Sequence, residues 1–117
     1  MLPDQPTPEV SDADVERVVR RDYASADVDT VLQLVAEVEV REKPRVVLAC
    51  LKIAAGNLDR LRGELSHASG WYREQISEAE YPLASKRWSR IDALPEDEVL
   101  AIFEKDWKQY SAWLSRP

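Results

Sequence analysis

Residues 57–80 read NLDRLRGELSHASGWYREQISEAE, and their apolar side chains recur every three or four positions. The recurring set is Leu58, Leu61, Leu65, Ala68, Tyr72, Ile76 and Ala79. This spacing is typical of one face of an α-helix, where side chains three and four residues apart are neighbours. Gly70 falls on the opposite face, so it weakens the helix without interrupting the packing surface. The pattern predicts one long helix over residues 57–80, ended by Pro82.

The preceding segment, residues 46–55, is apolar on almost every side and is interrupted by Lys52. A helix without a polar face belongs in the middle of a bundle. Pro44 suits the first turn of this helix, where a missing N–H costs nothing. Gly56 and Asn57 suit a tight turn, the glycine after the helix end and the asparagine as the next N-cap. We therefore expect the third helix to be central.

Two helices are predicted before it. Ser11 and Asp14 have the spacing of a capping box, which predicts a first helix at residues 12–23. Ser25 or Asp27 can cap a second helix. Its inner face would hold Val28, Val31, Leu32, Val35 and Val38. Strand-like alternation at the end of this segment has no second strand to pair with, so the helix is preferred.

The C-terminal part completes the predicted fold. Residues 83–94 are expected to be irregular or to hold one short turn. Pro95 and the three acidic residues after it favour the start of a last helix. The overall prediction is an all-α fold of about five helices in a compact bundle or orthogonal array, with the fourth helix longest. Residues 1–10 would be a mobile proline-rich tail, and residues 11–117 a single helical domain.

Composition and charge exclude several classes of protein. The 117 residues are 44% hydrophobic and 32% charged, which is too apolar for general disorder. Three glycines are too few to punctuate a many-stranded sheet. The net charge of −6 disfavours binding to nucleic-acid backbones and to anionic membranes. The single cysteine, Cys50, excludes an intrachain disulfide.

The expected setting is the cytoplasm. The first residues lack the basic and apolar regions of a secretory signal, and residues 46–55 are only about half a membrane span. No enzyme chemistry, cofactor or metal is predicted. His67 is the only histidine, and its Glu64-x-x-His67 spacing is one half of a di-iron motif on an outward face. The chain also lacks a glycine-rich phosphate loop.

Three groups of residues together resemble a recurrent group of short, uncharacterised bacterial helical proteins. They are Arg45-Val46 leading to Leu51-Lys52 and Gly56-Asn57; Tyr72-Arg73 leading to Ala79-Glu80-Tyr81-Pro82; and Asp106-Trp107, Gln109-Tyr110 and Trp113-Leu114. The resemblance covers about residues 40–116. In that group an acidic residue tends to precede the Tyr-Arg pair, whereas Trp71 does so here. The resemblance implies a bacterial, cytoplasmic setting and a helical fold, but no activity.

Aromatic residues are concentrated after residue 70, where all four tryptophans lie. Large rings dominate both cores and the hot spots of interfaces. Trp71, at the edge of the helical face, and Trp88, in a basic loop, fit poorly into a purely internal role, and Trp113 belongs to the same aromatic region. The leading hypothesis is a non-enzymatic protein–protein interaction or regulatory module. Its partner would be another protein or a second copy in a homodimer.

Asp106 carries the main alternative hypothesis. It projects into the apolar arc of the last helix, so its carboxylate needs an arginine, a tyrosine hydroxyl or an indole N–H as partner. It could instead line a small-ligand pocket together with Arg73 or Arg87. A third hypothesis is weak nucleic-acid binding through residues 86–90, Lys-Arg-Trp-Ser-Arg, where an aromatic ring lies among cations.

Overall fold

The computed structural model describes residues 7–117, and eight helices and no strand lie in that range. They are α1 (Asp12–Asp22), α2 (Ser25–Glu37), α3 (Lys43–Ala54), α4 (Leu58–Gly70), α5 (Arg73–Glu80), α6 (Pro82–Lys86), a 3-10 helix (Ile91–Ala93) and α7 (Glu96–Ser115). The all-α prediction is confirmed, whereas the prediction of about five helices is wrong. Most of the predicted N-terminal tail, residues 1–6, lies outside the described residues.

The predicted long helix over residues 57–80 is two helices, α4 and α5. Trp71 separates them with extended backbone angles, φ −153° and ψ 91°. A straight helix of that length would extend about 36 Å, roughly twice the length of α3. The break lets the apolar faces of both α4 and α5 contact α3. The 20-residue α7, and not the fourth helix, is therefore the longest helix described.

Helix α3 is central, as its composition predicts. Its side chains from Val46 to Leu51 are fully buried, and the helix contacts α1, α4 and α5. The turn after α3 has Gly56 at φ +81°, a left-handed conformation that glycine adopts readily. The side chain of Asn57 then accepts a hydrogen bond of 2.9 Å from the backbone N–H of Arg60. The predicted turn and N-cap are both confirmed.

The N-terminal helices also follow the prediction. The backbone N–H of Ser11 donates to Asp14 Oδ2 at 3.0 Å, which is half of the expected capping box. Helix α2 begins at Ser25 and buries three valines of its predicted inner face, Val28, Val31 and Val35. It ends before Val38, so the strand-like residues after it form an extended connection to α3.

The C-terminal end of α7 is tied to α1 by arginine side chains. Arg21 donates to the carbonyl oxygens of Trp113 (2.7 Å) and Arg116 (2.9 Å), and Arg17 donates to that of Leu114 (2.7 Å). The last carbonyls of a helix have no partner within the helix and carry its negative dipole end. Here the arginines of α1 donate hydrogen bonds to these carbonyl oxygens. The N-terminal helix α1 is thereby held against the C-terminal end of α7.

Within residues 7–117, no helix combines the length and the apolar character that crossing a membrane requires.

Candidate functional site

An open groove of about 720 Å³ lies between the start of α5 and the segment that follows α6. Four aromatic side chains line it: Trp71, Tyr72, Tyr81 and Trp88. We call it the aromatic groove. Three of the six residues proposed from the sequence meet there, namely Trp71, Arg73 and Trp88. The groove is therefore the candidate for the interaction surface that the sequence predicted.

Trp71 reaches the groove because α4 stops one residue before it. Its extended backbone takes the side chain off the helical face, and 53% of the residue stays exposed. The guanidinium carbon of Arg73 lies 5.5 Å from the centre of its ring. This cation–π contact holds the indole in place without burying it.

Trp88 comes from the other side of the groove, in the turn after α6. Its ring stacks on Tyr81 with the ring centres 6.0 Å apart and the planes inclined by 23°. The residue is nevertheless 52% exposed. Trp71 and Trp88 are thus the most exposed large apolar side chains of residues 7–117, and both line one groove.

A buried ion pair adjoins the groove, which Arg45 lines. Arg45 on α3 donates from Nε and Nη2 to the two carboxylate oxygens of Glu80 at the end of α5, each at 2.8 Å. The hydrogen bond that Arg45 donates to Glu80 is the main reason why the pKa of Arg45 is raised. Gln109 on α7 donates to the carbonyl oxygens of Ala79 and Glu80. The pair joins α3 to α5, and α7 holds the same turn.

The Arg45–Glu80 pair was not predicted from the sequence, although the sequence contains one signal for it. Glu80 follows Ile76 by four residues, which places it on the apolar face of that segment. A carboxylate on such a face needs a cation or donors, because an unpaired buried charge is costly. Arg45 was one candidate partner, because it is one of the few polar residues on the largely apolar α3. The contact could not be predicted from local spacing, because the two residues are 35 positions apart along the chain.

Charged side chains of both signs line the groove. The acids are Glu42 at the start of α3 and Glu74 and Glu78 on α5, and the cations are Arg45 and Arg73. Glu74 Oε2 lies 2.9 Å from His67 Nε2. Next to Trp88 in the chain, residues 86–90 carry the basic side chains of Lys86, Arg87 and Arg90, and all five of these residues are exposed. We call residues 86–90 the basic loop.

Asp106 is buried, as the periodicity predicts, but it has a different partner. Its carboxylate accepts the backbone N–H groups of Leu83 at 2.9 Å and Ala84 at 3.0 Å. These donors belong to the first turn of α6, whose own N-cap, Tyr81, makes no side-chain hydrogen bond. Asp106 therefore caps α6 from α7. The arginine, tyrosine or indole partner predicted for it is not found among residues 7–117.

The surroundings of Asp106 leave little space for a ligand. The gap beside it measures about 10 Å³, close to the minimum that a single water needs. Arg73 and Arg87, the proposed co-ligands, lie elsewhere: Arg73 covers Trp71, and Arg87 donates to the carbonyl of Leu83 at 3.4 Å. The structure does not bring these three side chains together.

Trp113 has a packing role in the structure. Its ring centre lies 5.6 Å from that of Tyr110, and the guanidinium of Arg21 lies over it at 5.1 Å. It does not line the aromatic groove. Of the aromatic candidates, Trp113 stabilises the junction of α1 and α7, and Trp71 and Trp88 face the groove.

Groups with catalytic potential are dispersed. Within the described residues, no three side chains among His, Cys, Asp and Glu are placed to hold a metal ion. Glu64 accepts a hydrogen bond from Gln75, while His67 contacts Glu74, so the Glu64-x-x-His67 pair does not converge. Burial raises the pKa of the Cys50 thiol to about 12, helped by the charge of Glu64. The reactive thiolate is therefore suppressed at neutral pH.

A comparison of the chain with known protein families, with curated proteins and with solved structures gave no match.

Proposed function

We propose that this protein is a non-enzymatic interaction module that binds another protein chain through the aromatic groove, in a cytoplasmic setting. One observation carries the proposal: Trp71 and Trp88 are both about half exposed and line the same groove. Tryptophan is among the residues most enriched in interface hot spots, because its ring buries a large area for few rotatable bonds.

The two indoles are also held ready for binding. Arg73 lies over one ring and Tyr81 stacks on the other. Side chains that are already ordered lose less conformational entropy when a partner covers them. A groove with fixed aromatic walls therefore supports recognition of a protein surface better than two freely rotating tryptophans would.

The other two hypotheses have weaker support. A small ligand at Asp106 would need more room than the gap of about 10 Å³ provides, and both carboxylate oxygens already accept hydrogen bonds. Nucleic-acid binding through residues 86–90, which include the groove residue Trp88, would bring phosphates towards the three glutamates that line the groove, which repel them. Protein binding uses the exposed rings without either conflict.

The test compares two double variants of the purified, immobilised protein. Trp71→Ala/Trp88→Ala removes both groove rings. Leu100→Ala/Trp107→Ala removes two exposed apolar side chains of α7, 46% and 37% exposed, that do not line the groove. Proteins captured from the native cell lysate are identified, and each is then purified and titrated against the wild type and both variants by calorimetry.

We expect the groove variant to bind a captured protein at least about thirtyfold more weakly than the wild type, as loss of hot-spot residues predicts. The α7 variant should bind within about threefold, as positions outside a hot spot do. Matching circular dichroism spectra and melting temperatures establish that both variants fold. Equal binding by the groove variant, or the absence of any captured protein that depends on the groove, would contradict the proposal.

A further inference from the structure

The basic loop forms a defined turn around the groove residue Trp88. The backbone N–H of Arg90 donates to the carbonyl oxygen of Arg87 at 2.9 Å, and the N–H of Arg87 donates to that of Ala84, in α6, at 3.0 Å. The first and fourth Cα atoms of such a turn lie within about 7 Å of each other. Arg87 and Arg90 are therefore close together in space, with Trp88 between them in the chain.

The cations of this turn have no carboxylate partner. Lys86, Arg87 and Arg90 are all exposed, and none of them forms an ion pair with a carboxylate of residues 7–117. Arg87 donates a long hydrogen bond of 3.4 Å to the carbonyl oxygen of Leu83. In a protein with a net charge of −6, the basic loop is thus a local excess of positive charge.

The glutamates that line the aromatic groove, by contrast, have basic side chains of this chain near them. Arg45 lies 3.7 Å from Glu42, and His67 lies 2.9 Å from Glu74. Burial lowers the pKa of Lys52, and the negative charge of Glu78 opposes that effect. The charges of this region that lack a counterpart are therefore the cations of the basic loop.

From this distribution we infer that the partner presents a short acidic segment with a large apolar side chain. Its carboxylates bind Arg87 and Arg90, and its apolar side chain packs on the exposed part of the Trp88 ring in the groove. The inference rests on the proposed function, because it names the chemistry of the partner of the same surface. A guanidinium binds a carboxylate through two parallel hydrogen bonds, so two neighbouring arginines suit an acidic segment.

A short acidic segment fits this surface better than an extended polyanion does. Nucleic acids and anionic membranes present negative charge over a long distance. The basic loop is only five residues long, and exposed Asp92 follows Arg90 by two residues. A peptide can confine its carboxylates to the two arginines, whereas a polyanion would also meet the acids around them.

A peptide selection tests the inference. Random dodecapeptides displayed on phage are selected on the immobilised wild-type protein, and the most enriched peptide is synthesised and titrated by calorimetry. Arg87→Glu/Arg90→Glu reverses the charge of the basic loop. The matched control, Arg60→Glu/Lys105→Glu, changes the net charge equally at exposed positions of α4 and α7 that do not line the groove.

We expect the enriched peptides to combine two or more acidic residues with an aromatic or large aliphatic one. The loop variant should bind the synthetic peptide at least about tenfold more weakly than the wild type, and the control within about threefold. Trp88→Ala should also weaken binding at least about tenfold. Raising the salt concentration from about 50 mM to 500 mM should weaken the wild-type complex, because salt screens exposed charges. Circular dichroism checks that every variant is folded.

Four results would overturn the inference: no enriched peptide, enrichment of neutral or basic peptides, equal binding by the loop variant, or tighter loop-dependent binding of a polyanion than of the peptide. The polyanion probes are a fluorescein-labelled oligothymidylate and vesicles of phosphatidylserine and phosphatidylcholine.

These results leave the proposed function standing if a captured protein still loses affinity for the Trp71→Ala/Trp88→Ala variant. Captured proteins that bind this variant as well as the wild type would instead remove the proposed function itself. The two failures are therefore distinguishable.

Discussion

Arg45 and Glu80 join α3 to the end of α5 through two hydrogen bonds of 2.8 Å each. The Glu80 side chain is 4% exposed and that of Arg45 is 19% exposed, so the pair is largely shielded from water. Paired in this way, two charges are tolerated in the interior, but either one alone is not. Arg45 also lines the aromatic groove, so the pair adjoins the candidate site.

Breaking this pair should destabilise the protein strongly. We expect Glu80→Ala to lower the free energy of unfolding by about 3 to 5 kcal/mol, because it leaves the Arg45 charge without its buried partner. Replacing both residues, in Arg45→Met/Glu80→Leu, should restore most of that loss, since no charge then remains buried. Urea unfolding at pH 7 measures these differences.

The control is Glu42→Ala, which removes a more distant and mostly exposed partner of the same arginine, at 3.7 Å. We expect it to change stability by less than about 1 kcal/mol, as surface ion pairs do. A Glu42→Ala change as damaging as Glu80→Ala would contradict the assignment of the buried pair as the dominant contact.

Asp106 should matter for stability more than other carboxylates of α7. Asp106→Ala leaves the N–H groups of Leu83 and Ala84 without their acceptor, and we expect a loss of about 2 to 4 kcal/mol. Glu104 lies on the exposed face of the same helix and pairs with Lys108. Glu104→Ala should therefore fall within about 0.5 kcal/mol of the wild type.

Thermal and urea unfolding of the two variants check this prediction. Amide hydrogen exchange of residues 82–86 adds a local readout, because α6 should lose protection when its cap is removed. Equal stability of the two variants would show that α6 does not need the carboxylate from α7.

Two glycines should respond in opposite ways to the same substitution. A Cβ at Gly56 would lie 2.9 Å from the carbonyl oxygen of Asp22, and the residue has φ +81°. We expect Gly56→Ala to destabilise the protein by about 1 to 3 kcal/mol, because both the backbone angle and the contact are unfavourable. Gly63 lies inside α4, where a Cβ would meet nothing within 4 Å.

Gly63→Ala should stabilise the protein by about 0.5 to 1 kcal/mol, since alanine loses less backbone entropy in a helix. Melting temperatures of the two variants give the comparison directly. A stabilised Gly56→Ala would show that the turn between α3 and α4 can move away from α1.

Alkaline pH should destabilise the fold through buried acids that are neutral at pH 7. Burial, with a contribution from Asp22, raises the pKa of Tyr23 to about 12, and burial also raises the pKa of Tyr110. In the unfolded chain a tyrosine ionises near pH 10 and a cysteine near pH 8.5. The unfolded state therefore loses protons first as pH rises, and stability falls progressively from about pH 8.5 towards 12.

Tyr23→Phe isolates one of these groups. The Tyr23 hydroxyl is buried and has no hydrogen-bond partner among the described residues, so its removal should cost less than about 0.5 kcal/mol at pH 7. Above pH 10 the variant should lose stability less steeply than the wild type. Urea unfolding at pH 7.5, 9.5 and 10.5 measures both slopes, and parallel slopes would contradict the role given to Tyr23.

Features that depend on neighbours in sequence were predictable. The Asn57 cap, the Gly56 turn and the position of Pro44 at the start of α3 follow from local backbone chemistry. The burial of Asp106 followed from helical periodicity. The role of Asp106 as hydrogen-bond acceptor could not be predicted in this way. Its donors, the N–H groups of Leu83 and Ala84, lie more than 20 residues away along the chain.

The amino-acid sequence alone determined that the chain forms helices around an apolar third helix. Helical periodicity, N-caps and helix-ending residues are signals that depend only on residues a few positions apart. Only the tertiary structure decided that the segment from 57 to 80 breaks at Trp71, since two short helices cover α3 better than one long rod. That break turns Trp71 towards the segment that carries Trp88. The aromatic groove is thus a product of packing between distant segments, which no local pattern encodes.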